Sequence, residues 1–296
     1  MSGKKLFDEF SNSSCTNSWA STHLPENIRN IIKNLSYKPS AREFAIKLGL
    51  LTPKLYAENV GLFQAFSYIQ AEQLNSVVVK PVQAKNSWCV LPISRVSSNK
   101  FYNIIEKNER SIEDLLSDTW AFYKKNKLGR SSGTVNKWIV EELLCSEDGK
   151  LEPIDDYKFY CFYGKIPLVL HKRNLFANGK WSSMYQWYDY HWRPIFTGKY
   201  LGKIDKSMRP SIQGKDQLIE SAVNVSRKIP VPFIRLDLYF SSGKVYFGEF
   251  TQYPGGADKF DPTFSEFLAE NWHQASVRLE NDIAQGLCNT LSPIYE

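Results

Sequence analysis

Residues 233–256 read Phe-Ile-Arg-Leu-Asp-Leu-Tyr-Phe-Ser-Ser-Gly-Lys-Val-Tyr-Phe-Gly-Glu-Phe-Thr-Gln-Tyr-Pro-Gly-Gly. Two β-rich runs, Phe233–Tyr239 and Lys244–Phe250, flank Ser242-Gly243, a pattern that predicts a hairpin. Strand alternation puts Ile234, Leu236 and Leu238 on one face and Arg235, Asp237 and Tyr239 on the other. On the second run Glu249 and Thr251 share a face. A two-residue loop would set Asp237 against Gly248 and turn Glu249 away. A three- or five-residue loop centred on Gly243 instead pairs Asp237 with Glu249 and Arg235 with Thr251, and this odd loop is the expectation. Opposed carboxylates repel and ask for a cation. Hard oxygen ligands of this kind suit Mg²⁺, with phosphates completing its shell. The same residues also allow an Arg235–Glu249 ion pair on a solvated face, and the pattern alone leaves both readings open.

Working outward, Tyr157–Tyr163 and Ile166–His171 predict another hairpin, around Gly164-Lys165. In that register Asp156 lies opposite Arg173 and Lys158 opposite His171, making a cationic face suited to an anion. An Asp156–Arg173 cross-strand pair with no ligand is the alternative. Val77–Val82 and Trp88–Ile93 read as strands, as does Trp138–Leu144. Lys80 sits in the first of these, where a cation is costly without a phosphate partner; a lysine snorkelling from a strand edge competes with that reading. Pro25 opens a helix with Ile28, Ile31, Ile32 and Leu35 on one side. Ser40–Glu43 has capping-box spacing, with Gly49 as the C-cap. Further helices are expected from Ser111, over 216–228, and from Pro262 toward Asn281 with Asp261 as N-cap. Lys124, Lys125 and Lys127 complement the C-terminal dipole of the helix from Ser111, ahead of Gly129. Strands and helices mix without βαβ alternation, so the class is α+β.

The 296 residues are 43% hydrophobic and 23% charged, a globular composition. No apolar run approaches the ~20 residues that cross a bilayer, and the first twenty lack the apolar core of a signal peptide. A chain kept in the cytoplasm is expected. The net charge of +6 forms no basic stripe, which argues against nucleic acid. Five scattered cysteines with no C-x-x-C pair, and four histidines apart from them, exclude structural zinc and a disulfide framework. P-loop, Rossmann, serine-hydrolase and zincin signatures are absent. Residues 181–192 are dense in aromatics, a core strand before a stacking platform. His191 beside Asp189 is only a weak base candidate.

The stretch from Ile234 to Gly256 resembles the metal-binding hairpin of ATP-grasp ligases, R-x-D, then a hairpin, then E-x-N-x-x-P-G. Arg235, Asp237, Glu249, Pro254 and Gly255 match, and Thr251 stands where most of that superfamily has Asn. Lys80 resembles the lysine that contacts ATP phosphates. Glu141, Glu142, Leu143 and Leu144 resemble the hinge that reads adenine through its backbone. Asp156-Tyr-Lys158-Phe resembles the segment carrying a second phosphate-contacting cation. The wording is similar to the TupA-like branch, linked to teichuronopeptide biosynthesis. One departure stands out: Val82–Cys89 has no glycine where these proteins have a glycine-rich loop, although Asn86 and Ser87 could donate hydrogen bonds there.

The resemblance implies two α+β subdomains clasping a nucleotide, behind a short helical N-terminal region: residues 1–75 helical, 76–144 the smaller subdomain, 145–296 the larger one with the metal. It implies ATP and Mg²⁺ as cofactors. Lys80, Glu141, Glu142, Leu143, Leu144, Asp156, Lys158 and Arg173 would bind the nucleotide. Asp237, Glu249 and Thr251 would hold the metal, and Arg235 would be catalytic. The implied reaction joins a carboxylate to an amine through an acyl phosphate. An acidic sugar of a surface polysaccharide is the implied substrate, beside other enzymes of that biosynthesis. A glycan phosphotransferase and a silent carbohydrate-binding module are the competing classes.

Overall fold

The computed structural model describes residues 3–12, 14–83, 89–126, 136–146, 152–177, 180–211 and 213–295. Four helices lead: α1 (Gly3–Ser11), α2 (Cys15–His23), α3 (Glu26–Asn34) and α4 (Lys38–Lys47). Ile28, Ile32 and Leu35 are buried as their spacing predicts, and Gly49 (φ +88°) ends α4 in the left-handed region. Ser40 lies inside α4 rather than capping it, because the helix starts at Lys38.

The helical region expected over 1–75 is interrupted. Leu55–Val60 is a strand, β1, followed by α5 (Leu62–Ala71). β1 pairs antiparallel with β6 (Trp138–Glu142), so these residues join the smaller sheet. That sheet also holds β2 (Ser76–Pro81), β3 (Leu91–Ser97), β4 (Lys100–Asn103) and β5 (Asn108–Ser111), in the order β1-β6-β2-β3-β4-β5. Its core packs Val77, Val79, Val140 and Trp138 against Phe66 and Ile69 of α5 and Leu115 of α6 (Ile112–Lys125). Ser111 caps α6 by accepting from the Asp114 N–H at 3.1 Å. The stretch read as a strand over Trp88–Ile93 begins three residues later, at Leu91; Trp88, Lys127 and Gly129 lie outside the described residues.

The larger sheet is β7 (Asp156–Phe162), β8 (Lys165–Ala177), β9 (Lys180–Tyr188), β10 (Ile234–Ser241) and β11 (Lys244–Thr251), ordered β11-β10-β7-β8-β9. α7 (Lys215–Lys228), α8 (Pro262–Ala284) and α9 (Leu287–Tyr295) pack around it. Asp261 caps α8 through the Thr263 N–H. The leading helices share this core: Phe10 meets the rings of Phe162 and Phe233 at 5.8 and 5.4 Å. Both sheets are antiparallel throughout their described pairings, which makes the class α+β. No helix among the described residues is long and apolar enough to cross a membrane, and the five cysteines are free thiols.

Two registers decide which side chains meet. The β10–β11 turn has two residues, Ser242 (φ 49°) and Gly243 (φ 73°), and not an odd loop. Asp237 nevertheless pairs with Glu249 and Arg235 with Thr251, because a bulge between Asp237 and Leu238 leaves Gly248 as one extra residue. A Cβ at Gly248 would lie 2.9 Å from the Asp237 carbonyl oxygen, so the bulge excludes a side chain. In the β7–β8 hairpin the turn is Tyr163-Gly164, one residue earlier than expected, with a further irregularity between Tyr160 and Phe162. Asp156 therefore pairs with Lys172 and Lys158 with Leu170.

Candidate active site

These registers write a polar grid across one face of the larger sheet. One row runs Lys158–Asp237–Glu249; the next runs Lys172–Asp156–Tyr239; a third runs Tyr160–Arg235–Thr251. The apolar residues between them, Phe159, Leu236 and Leu238, are wholly buried on the opposite side. Arg235 grips Asp237 with two N–H groups, at 2.7 and 2.9 Å, and donates to Glu249 at 2.7 Å. Lys158 donates to Asp237 and lies 2.6 Å from Asp156. Thr251 is half-buried on the same face.

The charges are not balanced evenly. Burial would raise Asp237, but Arg235 and Lys158 outweigh it and hold its carboxyl at about 2. Glu249, half exposed to the cleft, moves the other way: burial and the Asp237 charge push it above the usual carboxylate range. Asp156 keeps one buried oxygen, Oδ1, with no partner. Oxygen valence is thus left over on this face.

The smaller sheet turns a second polar face toward the first. Val78 and Lys80 of β2 lie beside Glu141 and Ile139 of β6, and Lys80 donates to Glu141. Tyr239, on the larger sheet, lies in the field of Glu141 as well as of Asp156, Glu249 and Asp237. Glu142 accepts from the Lys54 N–H at 3.0 Å. Past β6 the chain crosses between sheets: the Leu143 N–H reaches Ser76 O at 3.5 Å, Leu144 is buried, and Cys145 O accepts from Ser241 Oγ at 2.7 Å. Of the segment that follows Lys80, residues 84–88, Asn86 and Ser87 among them, lie outside the described residues.

Arg173 is a correction. The shifted β7–β8 register places it on the opposite face, where its guanidinium grips Asp155 at 2.9 and 2.6 Å and His171 meets the same carboxylate at 2.7 Å. His171 likewise leaves the cationic face and stacks on Tyr157 at 4.6 Å. Lys172 takes the place expected of Arg173; burial lowers its proton affinity, with Asp156 the nearest charge opposing that. One misplaced turn residue was enough to exchange the two neighbours.

Two further lysines were not foreseen. Lys38, at the start of α4, donates to Val82 O at 3.1 Å beside Lys80. Lys199 donates to Gly255 O, lies 4.4 Å from the Phe260 ring, and is pushed down to about 7 by burial and then by Arg235. Nothing in the local sequence marks either one; only tertiary contacts do. Beside Lys199, Tyr200 stacks on Tyr185 at 4.2 Å and lies parallel to Trp187 at 6.0 Å. Most of the aromatic stretch is core: Trp187 and Tyr188 are wholly buried. His191 lines a separate cavity of about 500 Å³ against α7, with no residue of the polar grid in its wall.

The grid suits a hard divalent cation. Mg²⁺ uses one or two carboxylates and takes its other ligands from phosphates and water. Asp237 and Glu249 offer adjacent oxygens of that kind, and Glu249 meets the Arg235 guanidinium through Oε1. No group of three or more potential ligating side chains occurs among the described residues, so such an ion would depend on its phosphates.

Two solved ligase structures share the fold. The VanG D-Ala:D-Ser ligase from Enterococcus faecalis superposes with a TM-score of 0.51 at 13% identity, covering 82% of this chain and 62% of that one. D-alanine–D-alanine ligase from Bacillus anthracis, solved with ATP, gives 0.50 at 12% identity, covering 92% and 77%. The chain therefore spans less than two thirds of the first enzyme's length, and at these identities the likeness is one of fold. Comparison with curated proteins gives no match. The sequence profile of the TupA-like ATP-grasp family matches residues 60–273, which takes in the larger sheet, the smaller sheet from β2 onward and the whole polar grid, and the chain belongs to that family.

Proposed function

We propose that the protein is an ATP-dependent ligase that joins a carboxylate to an amine, with the nucleotide phosphates held between the polar faces of the two sheets. The observation that carries this reading is the row Lys158–Asp237–Glu249, set by the Gly248 bulge, with Tyr239 on the same face in the field of Glu141, which Lys80 holds. Buried charges in such number are costly unless a ligand uses them.

Lys80, Lys158 and Lys172 would meet the phosphates, and Asp156 would orient the last two. Backbone groups from Glu141, Glu142, Leu143 and Leu144 would border the adenine. Asp237 and Glu249, with Thr251 at their side, would hold Mg²⁺, which would neutralise charge on the transferring phosphoryl group. The substrate carboxylate attacks the γ-phosphate and ADP leaves; the amine then attacks the acyl phosphate, and phosphate leaves. Arg235 would stabilise the oxyanion of that second step.

Lys199, Arg235 and the Tyr185–Tyr200 stack make one end of the site cationic and aromatic. That chemistry suits an acidic, ring-bearing acceptor, such as an acidic sugar of a surface polysaccharide assembled in the cytoplasm. The test begins with calorimetric titration of Mg-ATP, with and without Mg²⁺. It continues with ADP release over a panel of uronic acids and amino acids, with products identified by mass. ADP release that needs both a carboxylate and an amine is the expected result. A phosphorylated product formed without amine would make the protein a phosphotransferase, and no nucleotide binding at all would sink the reading.

A further inference from the structure

The cavity of about 500 Å³ lies between the turn after β9 and the N-terminal part of α7, on the side of the larger sheet away from the polar grid. Asp189 holds that turn. Its Oδ1 accepts from the backbone N–H groups of His191 and Arg193, both at 2.9 Å, and its Oδ2 from Arg193 Nε at 2.7 Å. Trp192 is kept there at φ 60°, a conformation that is costly for a bulky residue. The residue is 9% exposed, meets Tyr157 and Phe159 edge-on at 5.8 and 6.1 Å, and forms part of the cavity wall. Its Nε1–H is buried with no partner. A buried donor is costly in such a place unless an occupant accepts from it.

The rest of the wall is polar and uncommitted. Tyr190, 45% exposed, stands at right angles to the His191 ring. On α7, Asp216, Glu220 and Asn224 recur every fourth residue along one exposed ridge. Carboxylates one helical turn apart repel. Neither these three side chains nor Lys215 beside them has a hydrogen bond or ion pair among the described residues. An exposed ring, an indole donor, an amide and two carboxylates offer stacking together with donors and acceptors, the set that a polyhydroxylated ring requires. Two carboxylates against one lysine disfavour a uronic acid, the reverse of the cationic Lys199–Arg235 end of the grid. We propose that this cavity is a second, glycan-binding site that takes a neutral or amine-bearing sugar unit. None of its residues serves the nucleotide, so it binds with or without ATP.

The experiment titrates the full chain, without nucleotide, with maltotetraose, N-acetylated chitotetraose, deacetylated chitotetraose and trigalacturonate, by saturation-transfer NMR and calorimetry. At least one of the tetramers should bind, and trigalacturonate should not displace it. Tyr190→Ala should weaken that binding about 3- to 10-fold and Glu220→Gln about 10-fold. Trp192→Phe, which keeps a ring but removes the indole donor, should weaken it as well. Thermal melting checks folding, and the variants at the exposed Tyr190 and Glu220 decide the matter if Trp192→Phe does not fold. Mg-ATP affinity should be the same in every variant. Binding of none of the tetramers, binding that survives both Tyr190→Ala and Glu220→Gln, or displacement by trigalacturonate would overturn the site. Failure of the wild type to bind Mg-ATP would instead overturn the nucleotide reading and leave this site standing.

Discussion

The two faces of the larger sheet each carry a charge cluster, and they differ in how completely they close. On one face both oxygens of the Asp155 carboxylate are used, by Arg173 and His171, and only the far ring nitrogen of His171, Nδ1, is without a partner. On the other, Arg235 and Lys158 meet Asp237, yet Glu249 is pushed up and Asp156 Oδ1 has no partner. Strands, alternation and residue types are the same. A carboxylate met on both oxygens reads as scaffold; carboxylates with oxygens to spare on one polar face read as a site, because a buried unpaired carboxylate oxygen is costly unless a ligand meets it.

The comparison breaks most easily at Asp237. Asp237→Asn strips a buried counter-charge from Arg235 and Lys158, so it should lower unfolding free energy by about 3–5 kcal/mol and remove Mg²⁺-dependent nucleotide binding. Urea unfolding and calorimetry read the two effects; a variant that keeps Mg-ATP affinity would show the open cluster to be scaffold after all.

Next come the lysines. Lys80→Ala and Lys158→Ala should each weaken Mg-ATP by about 1.5–3 kcal/mol without unfolding the protein, whereas Arg173→Ala should leave the affinity unchanged. A loss of affinity in Arg173→Ala would mean that the opposite face also serves the nucleotide.

Asp155 offers a smaller and purely structural effect. Burial works against its ionised form, but hydrogen bonds from His171 and Arg173 hold its carboxyl below the usual value. A carboxyl lowered on folding adds stability that is present above its unfolded value and is lost as pH falls through the folded one. Asp155→Asn should therefore cost stability at neutral pH and flatten the acid limb below roughly pH 4, with Mg-ATP binding intact. An unchanged acid limb would contradict the closed-cluster picture. The smallest effect is expected of Gly248→Ala. A methyl there meets the Asp237 carbonyl at 2.9 Å and the Tyr239 ring at 3.0 Å, which should cost about 1–3 kcal/mol. Wild-type stability in that variant would show that the bulge tolerates a side chain.

Much of this was legible in the chain. The alternation of Ile234, Leu236 and Leu238 against Arg235, Asp237 and Tyr239 named the polar face, and the order of Lys80, Trp138–Leu144, Lys158 and the 234–256 hairpin named the family. Capping residues Ser111 and Asp261 marked helix starts because such bonds are local in sequence. Register was harder. Asp237 does face Glu249, but through a bulge at Gly248 rather than an odd loop, since a glycine inside a strand does not announce whether it bulges. The Tyr163-Gly164 turn, one residue from its expected place, moved Arg173 off the site and put Lys172 on it.

The sequence by itself therefore determined which strands carry charge and on which alternate positions, because a period of two is a property of the backbone. Only the tertiary structure decided which of those charges meet. Bulges and turn types shift pairing by single residues, and a shift of one exchanges faces. Contacts between distant elements, such as Lys38 of α4 beside Val82 or Lys199 under Gly255, leave no periodic trace in the chain at all.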